Sequence, residues 1–184
     1  MRTFHHLLIS IAVLILLAGH SAHAGGKAFI ADETACKNPV PAQLDWLDAA
    51  AWGPFSEYVR VCSVRNGKSP VALVLISVWA DLYYSDKPAR TETAAMPKPL
   101  LFTPKGKQVG ELPANFPTDP PAELVLHFSD WRKGFPYEIR LCVVSQTASG
   151  NQALPPLRYL PASQRYEQVT GAAAATRSGD CRGR

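Results

Sequence analysis

The chain has 184 residues, with 19 Lys and Arg against 15 Asp and Glu, a formal charge of +4. That length is enough for one domain with its own core. The charge is mild and the basic residues are scattered, the densest spots (Lys105 with Lys107, Arg132 with Lys133) holding two each, so nothing supports a nucleic-acid partner.

The first segment reads as an export signal. Arg2 opens a short basic start, the uncharged apolar run Leu7–Ala18 follows, and Ser21-Ala22-His23-Ala24 gives a small-residue stop. This is the order of a secretory signal peptide, with cleavage expected after Ala24. The apolar run is well short of the ~20 residues a spanning helix needs, so no stable membrane anchor is expected after cleavage. The expected location is the periplasm or the extracellular space. Cleavage would remove only Arg2 among the charged residues, leaving 18 basic against 15 acidic ones, a net +3. It would also remove His5, His6, His20 and His23, leaving His127 as the one histidine. One His and four cysteines in an oxidising compartment make a poor zinc or other transition-metal site. No metal or cofactor is expected.

Residues 25–56 read as a lead-in. Within it, Pro41–Trp52 predicts one short helix, with Pro at its start and Leu44, Leu47 and Ala51 at helical spacing. Gly53-Pro54 should end it. From Glu57 the period changes to two. Val59, Val61 and Ser63 alternate with Arg60, Cys62 and Val64 as a half-buried strand. Asn66-Gly67 signals a hairpin, and Pro70–Tyr84 predicts the long returning strand, its even positions Val74, Ile76 and Val78 turned to the core. Residues 85–98 read as a polar loop, and Pro104–Lys107 marks a second hairpin between Leu100–Thr103 and Gln108–Leu112. Strands are expected around Leu124–Phe128 and Tyr137–Val143, with two short closing strands at Leu157–Leu160 and Arg165–Val169. Residues 171–184 read as a flexible tail anchored by Cys181. The sum is an all-β domain over 57–170, a two-sheet sandwich of seven to eight antiparallel strands, immunoglobulin-like in general architecture. Its 16 prolines suit short connections.

Cys36, Cys62, Cys142 and Cys181 predict two disulfides, and the absence of any C-x-x-C motif argues against a redox site. Val59-Arg-Val-Cys-Ser-Val64 and Ile139-Arg-Leu-Cys-Val-Val144 carry nearly the same local text. That matching placement favours Cys62–Cys142, with Cys36–Cys181 joining the chain ends. Cys36–Cys62 with Cys142–Cys181 is the rival.

Chemistry is thinly marked. His127 lies close to Ser129 and Asp130, but no Gly-x-Ser-x-Gly nucleophile elbow occurs to support a Ser–His–Asp arrangement. Asp81 with Asp86, and Asp119 with Glu123, are carboxylate pairs near enough in sequence for glycoside hydrolysis, though spacing in three dimensions decides that chemistry. The strongest surface candidate is Asp130–Pro136, read as a loop, where Trp131, Arg132, Lys133 and Phe135 combine aromatics with cations as binding hot spots do. Trp79 with Tyr83 is a second aromatic row. These features predict an exported, non-catalytic module that binds a protein or glycan of the cell envelope, a periplasmic inhibitor or immunity-type protein being one concrete form. A wall or polysaccharide hydrolase using carboxylates or His127, and a structural part of an envelope assembly, are the alternatives. The sequence leaves the oligomeric state open.

Overall fold

The computed structural model describes residues 36–79, 86, 95–113, 122–145 and 152–170. The expected signal segment, the expected polar loop apart from its ends, Tyr83, Asp81, Asp119 and the tail with Cys181 lie outside the described residues. Among the described residues, nine antiparallel strands form two sheets. The first holds β1 (Cys36–Lys37), β2 (Val59–Val64), β3 (Leu73–Val78), β4 (Leu100–Phe102) and β5 (Gln108–Glu111), side by side in that order. The second holds β6 (Ala122–Arg132), β7 (Phe135–Ser145), β8 (Gln152–Leu160) and β9 (Arg165–Gln168), also in order. The all-β, two-sheet expectation therefore holds. The connectivity is two consecutive meanders, whereas an immunoglobulin sandwich joins its sheets by Greek-key crossings.

The first sheet is buried on both faces. Leu73 and Leu75 join Val64, Leu101 and Val109 in packing against Leu126, Phe128, Ile139, Leu141, Leu157 and Tyr166 of the second sheet. Val74, Ile76 and Val78 point the other way and are covered, with Val59, Val61 and Phe102, by Trp52, Phe55 and Tyr58. Both parities of β3 are thus core, not only the even one. A central strand covered on both sides reads as a continuous apolar run, and alternation cannot then pick a face.

The covering layer is helical. The predicted single helix splits into α1 (Pro41–Leu44) and α2 (Ala49–Trp52), followed by a 3-10 helix over Gly53–Tyr58. The Asp48 carboxylate accepts from the Ala50 N–H at 2.8 Å and starts α2 afresh. Gly53-Pro54 tightens the chain into the 3-10 helix instead of ending it, since proline in a first turn sacrifices no needed N–H.

Turn chemistry explains where the strands end. Asn66-Gly67 lies inside a longer connection, with Gly67 at φ 56° and the ladder resuming only at Val64 opposite Leu73. Gly106, at φ 83°, closes the β4–β5 turn and lies against the Trp46 indole, where a Cβ would come within 2.6 Å of the ring. Lys133 and Gly134, at φ 50° and 79°, make the two-residue turn whose twist suits a hairpin. Pro155-Pro156 sits where the β7–β8 register slips, between Ile139 opposite Leu157 and Leu141 opposite Leu154, as prolines in strands should. The sheets approach closely at Gly110, which faces the Tyr166 Cβ.

The cysteines correct the sequence reading. Cys36 is bonded to Cys62, and the two residues are cross-strand partners of β1 and β2. That overturns both Cys62–Cys142 and Cys36–Cys181. Matching local text puts Cys62 and Cys142 on equivalent strand positions, but in different sheets and on different layers. Cys142 is itself disulfide-bonded. Within the expected lead-in, Cys36 and Lys37 form the edge strand β1.

Candidate functional site

The segment expected as the loop 130–136 is the tip of the long β6–β7 hairpin, with strand pairing running out to Arg132 opposite Phe135. Leu126 and Phe128 face the inter-sheet core, so strict alternation would send Asp130 inward. Asp130 instead takes φ 50°, a left-handed conformation that aspartate tolerates. The alternation shifts, and Trp131 packs on the core edge with its Nε1 donating to the Phe128 carbonyl at 3.0 Å. Arg132 is exposed. Its guanidinium lies 4.5 Å from the Tyr137 ring centroid and pairs with Asp130 at 2.7 Å. The hydrogen bond to Asp130 is the largest influence raising the Arg132 pKa, on a side chain that is a cation at any working pH.

Behind the tip, four rings carry the core out to this end of the sandwich. Phe135 meets Tyr159 edge-on at 4.8 Å, and Tyr159 meets Tyr137 at 5.4 Å and Tyr166 at 5.3 Å. Tyr166 is buried and its hydroxyl donates to the Pro136 carbonyl. Burial, then Tyr159 and Tyr137, push the Tyr166 hydroxyl far above its usual range, so it stays a neutral donor. Phe135, Tyr137 and Tyr159 are half-buried. The tip therefore presents an ordered cation at Arg132, a second exposed cation at Lys133, and ring edges fixed by packing.

The outward face of the second sheet carries a polar network that sequence reasoning missed. The Glu138 carboxylate is buried and accepts from Arg140 Nε at 2.8 Å, Arg158 at 3.4 Å and Ser129 Oγ at 3.4 Å. Arg158 comes from β8 at the register position beside Glu138, a proximity only pairing reveals. His127 pairs across the strands with Arg140. Burial first and Arg140 second lower its pKa below 6.5, so it is neutral at pH 7. A base whose folded pKa is depressed takes up fewer protons folded than unfolded, so stability rises with pH through that interval. Its contribution is present above about pH 6.5 and is lost as pH falls toward the folded-state pKa. The melting temperature should accordingly drop as the pH falls through and below about 6.5, and His127→Gln should flatten that part of the curve. Identical pH profiles for the two proteins would show that His127 does not carry it.

Trp79 is half-buried and packs on the inter-sheet core, with the Arg60 guanidinium 5.7 Å from its ring. Among the described residues, the buried Trp79 Nε1 and Ser77 Oγ have no hydrogen-bond partner. In the first sheet it follows the β3 end beside Val59, away from the β2–β3 and β4–β5 turns. Asp86, one of the carboxylates paired in the sequence, accepts from the Tyr58 hydroxyl and so braces the helical layer. Among the described residues no group of three His, Cys, Asp or Glu could hold a metal ion, and no helix is long and apolar enough to cross a membrane. The disulfide is compatible with an oxidising location. No protein-family model, curated protein or solved structure matches the chain.

Proposed function

We propose that the chain is an exported, non-catalytic binding module that holds a protein or glycan of the cell envelope against the tip of the β6–β7 hairpin. The observation that supports this reading is the preordering of the tip. Arg132 is held between Asp130 and the Tyr137 ring, and the rings behind it are locked into one another. Side chains already fixed in place lose little entropy on binding, and Arg with aromatic neighbours is the composition of binding hot spots. The buried carboxylate of Glu138 is engaged by two arginines and a serine, an arrangement that serves structure.

Because Trp131 supports the core edge, the informative variant is Arg132→Ala with Lys133→Ala, both exposed. Binding to an immobilised cell-envelope fraction, tested before and after protease digestion, should weaken about tenfold or more. The melting temperature should stay unchanged. Undiminished binding by the double variant would remove the hairpin tip from the function.

A further inference from the structure

The cations that look scattered in the sequence are gathered by the fold. Antiparallel register puts the β2–β3 and β4–β5 turns at one end of the first sheet, since Val64 pairs with Leu73, Val74 with Phe102 and Phe102 with Gln108. The β6–β7 and β8–β9 turns share one end of the second sheet, where Arg132 pairs with Phe135 and Leu160 with Arg165. The two ends coincide, because Lys107 of the β4–β5 turn donates to Gln164 of the β8–β9 turn. Four turns from both sheets therefore stand together, neighbours within a sheet and across the sandwich being ~10 Å apart from strand and sheet spacings.

Those turns are basic. Arg65 and Lys68 lie on the first, Lys105 and Lys107 on the second, Arg132 and Lys133 about the third, all exposed. Arg165 begins β9 just past the fourth and is exposed too. No acid occurs within residues 65–72, 103–107, 133–134 or 161–164. Asp130 offsets Arg132, and Glu167, further along β9, accepts from Ser163.

We infer that this end of the sandwich is an extended anion-binding face for an acidic polysaccharide, a reading that rests on the proposed binding function and names its ligand class. Cations spread over three turns and the start of β9 fit a polymer with repeated negative charge better than one compact anion. The half-buried rings of Phe135, Tyr137 and Tyr159 beside them offer edges to sugar rings. Stable anchoring on an anionic bilayer takes an apolar insertion as well as charge. Among the described residues, Leu160 is the one exposed large hydrophobic beside these turns, and Val40 and Leu44 belong to the α1 region.

The test reverses charges remote from the β6–β7 tip. Full-length protein exported with its disulfides intact is titrated with polygalacturonate, dextran sulfate and neutral dextran. It should bind both acidic polymers and not dextran, with affinity falling at least about tenfold between 50 and 200 mM salt. Lys68→Glu with Lys105→Glu should weaken binding about tenfold or more. Lys37→Glu with Lys98→Glu, equal in charge change but off these turns, should leave it within about twofold. All four lysines are on exposed positions, so folding should survive, and Lys68→Gln with Lys105→Gln should give a smaller loss in the same direction. Equal losses for both charge-reversed pairs would reduce the effect to net charge and overturn the site. So would stronger binding to phosphatidylglycerol vesicles or duplex DNA than to the acidic polymers, or no binding to the polymers. If only the Arg132/Lys133 variant loses envelope binding, the tip function stands and the extended face does not.

Discussion

Replacing Phe55 with Ala is expected to lower the unfolding free energy by about 3–5 kcal/mol, the range for a fully buried aromatic. Phe55 is 1 % exposed and sits in the 3-10 helix that covers the outer face of the first sheet, among Val59, Val61, Val74, Ile76 and Phe102. Its removal leaves a cavity between a short helical layer and a rigid sheet, which can collapse only by shifting the helices. Leu44→Ala, on an exposed position of α1, should change stability by about 0.5 kcal/mol or less. Urea unfolding of both variants reads the contrast directly. A Phe55 loss as small as that of Leu44 would mean that the helical layer adds nothing to the core.

That layer also marks where the sequence stops being legible. Period-two patterning locates β2, and hairpin signals locate β4 and β5, because those strands have the turn chemistry that local rules encode. In β3 both parities are apolar, so the sequence announces a strand and not that a second layer lies behind it. The long β6–β7 hairpin looks like strand, loop and strand, since Gly-Phe-Pro has the composition of a turn. Its real turn is Lys133-Gly134 alone, and Pro136 is accommodated within the pairing.

The candidate site is half legible. Residue type alone singles out Trp131, Arg132, Lys133 and Phe135, and they do share the hairpin end. It passes over Tyr137, Tyr159 and Tyr166, because their meeting depends on β7, β8 and β9 pairing in order. The same holds for charge. Cations converge from three turns and the start of β9, far apart in the chain, and sequence windows measure only local density. Trp79 is the converse case, an aromatic that residue type marks as displayed and that is half-buried against the inter-sheet core.

The disulfide gives the sharpest check on the corrected fold. Cys36 and Cys62 are 26 residues apart, and in the chain-entropy account a crosslink of that span stabilises by about 3–4 kcal/mol. Its local role is larger than that figure conveys. Among the described residues, β1 has two, both paired with β2, too little ladder to hold an edge by itself. Cys36→Ala with Cys62→Ala should thus lower stability by roughly 3 kcal/mol and expose the β1 amides to hydrogen exchange, while β6 and β7 keep their protection. Tryptic digestion of the unreduced protein should join peptide 28–37 to peptide 61–65. Peptide 61–65 joined to 141–158 instead would restore the pairing of Cys62 with Cys142, and with it a bond between the two sheets where this structure has one between neighbouring strands.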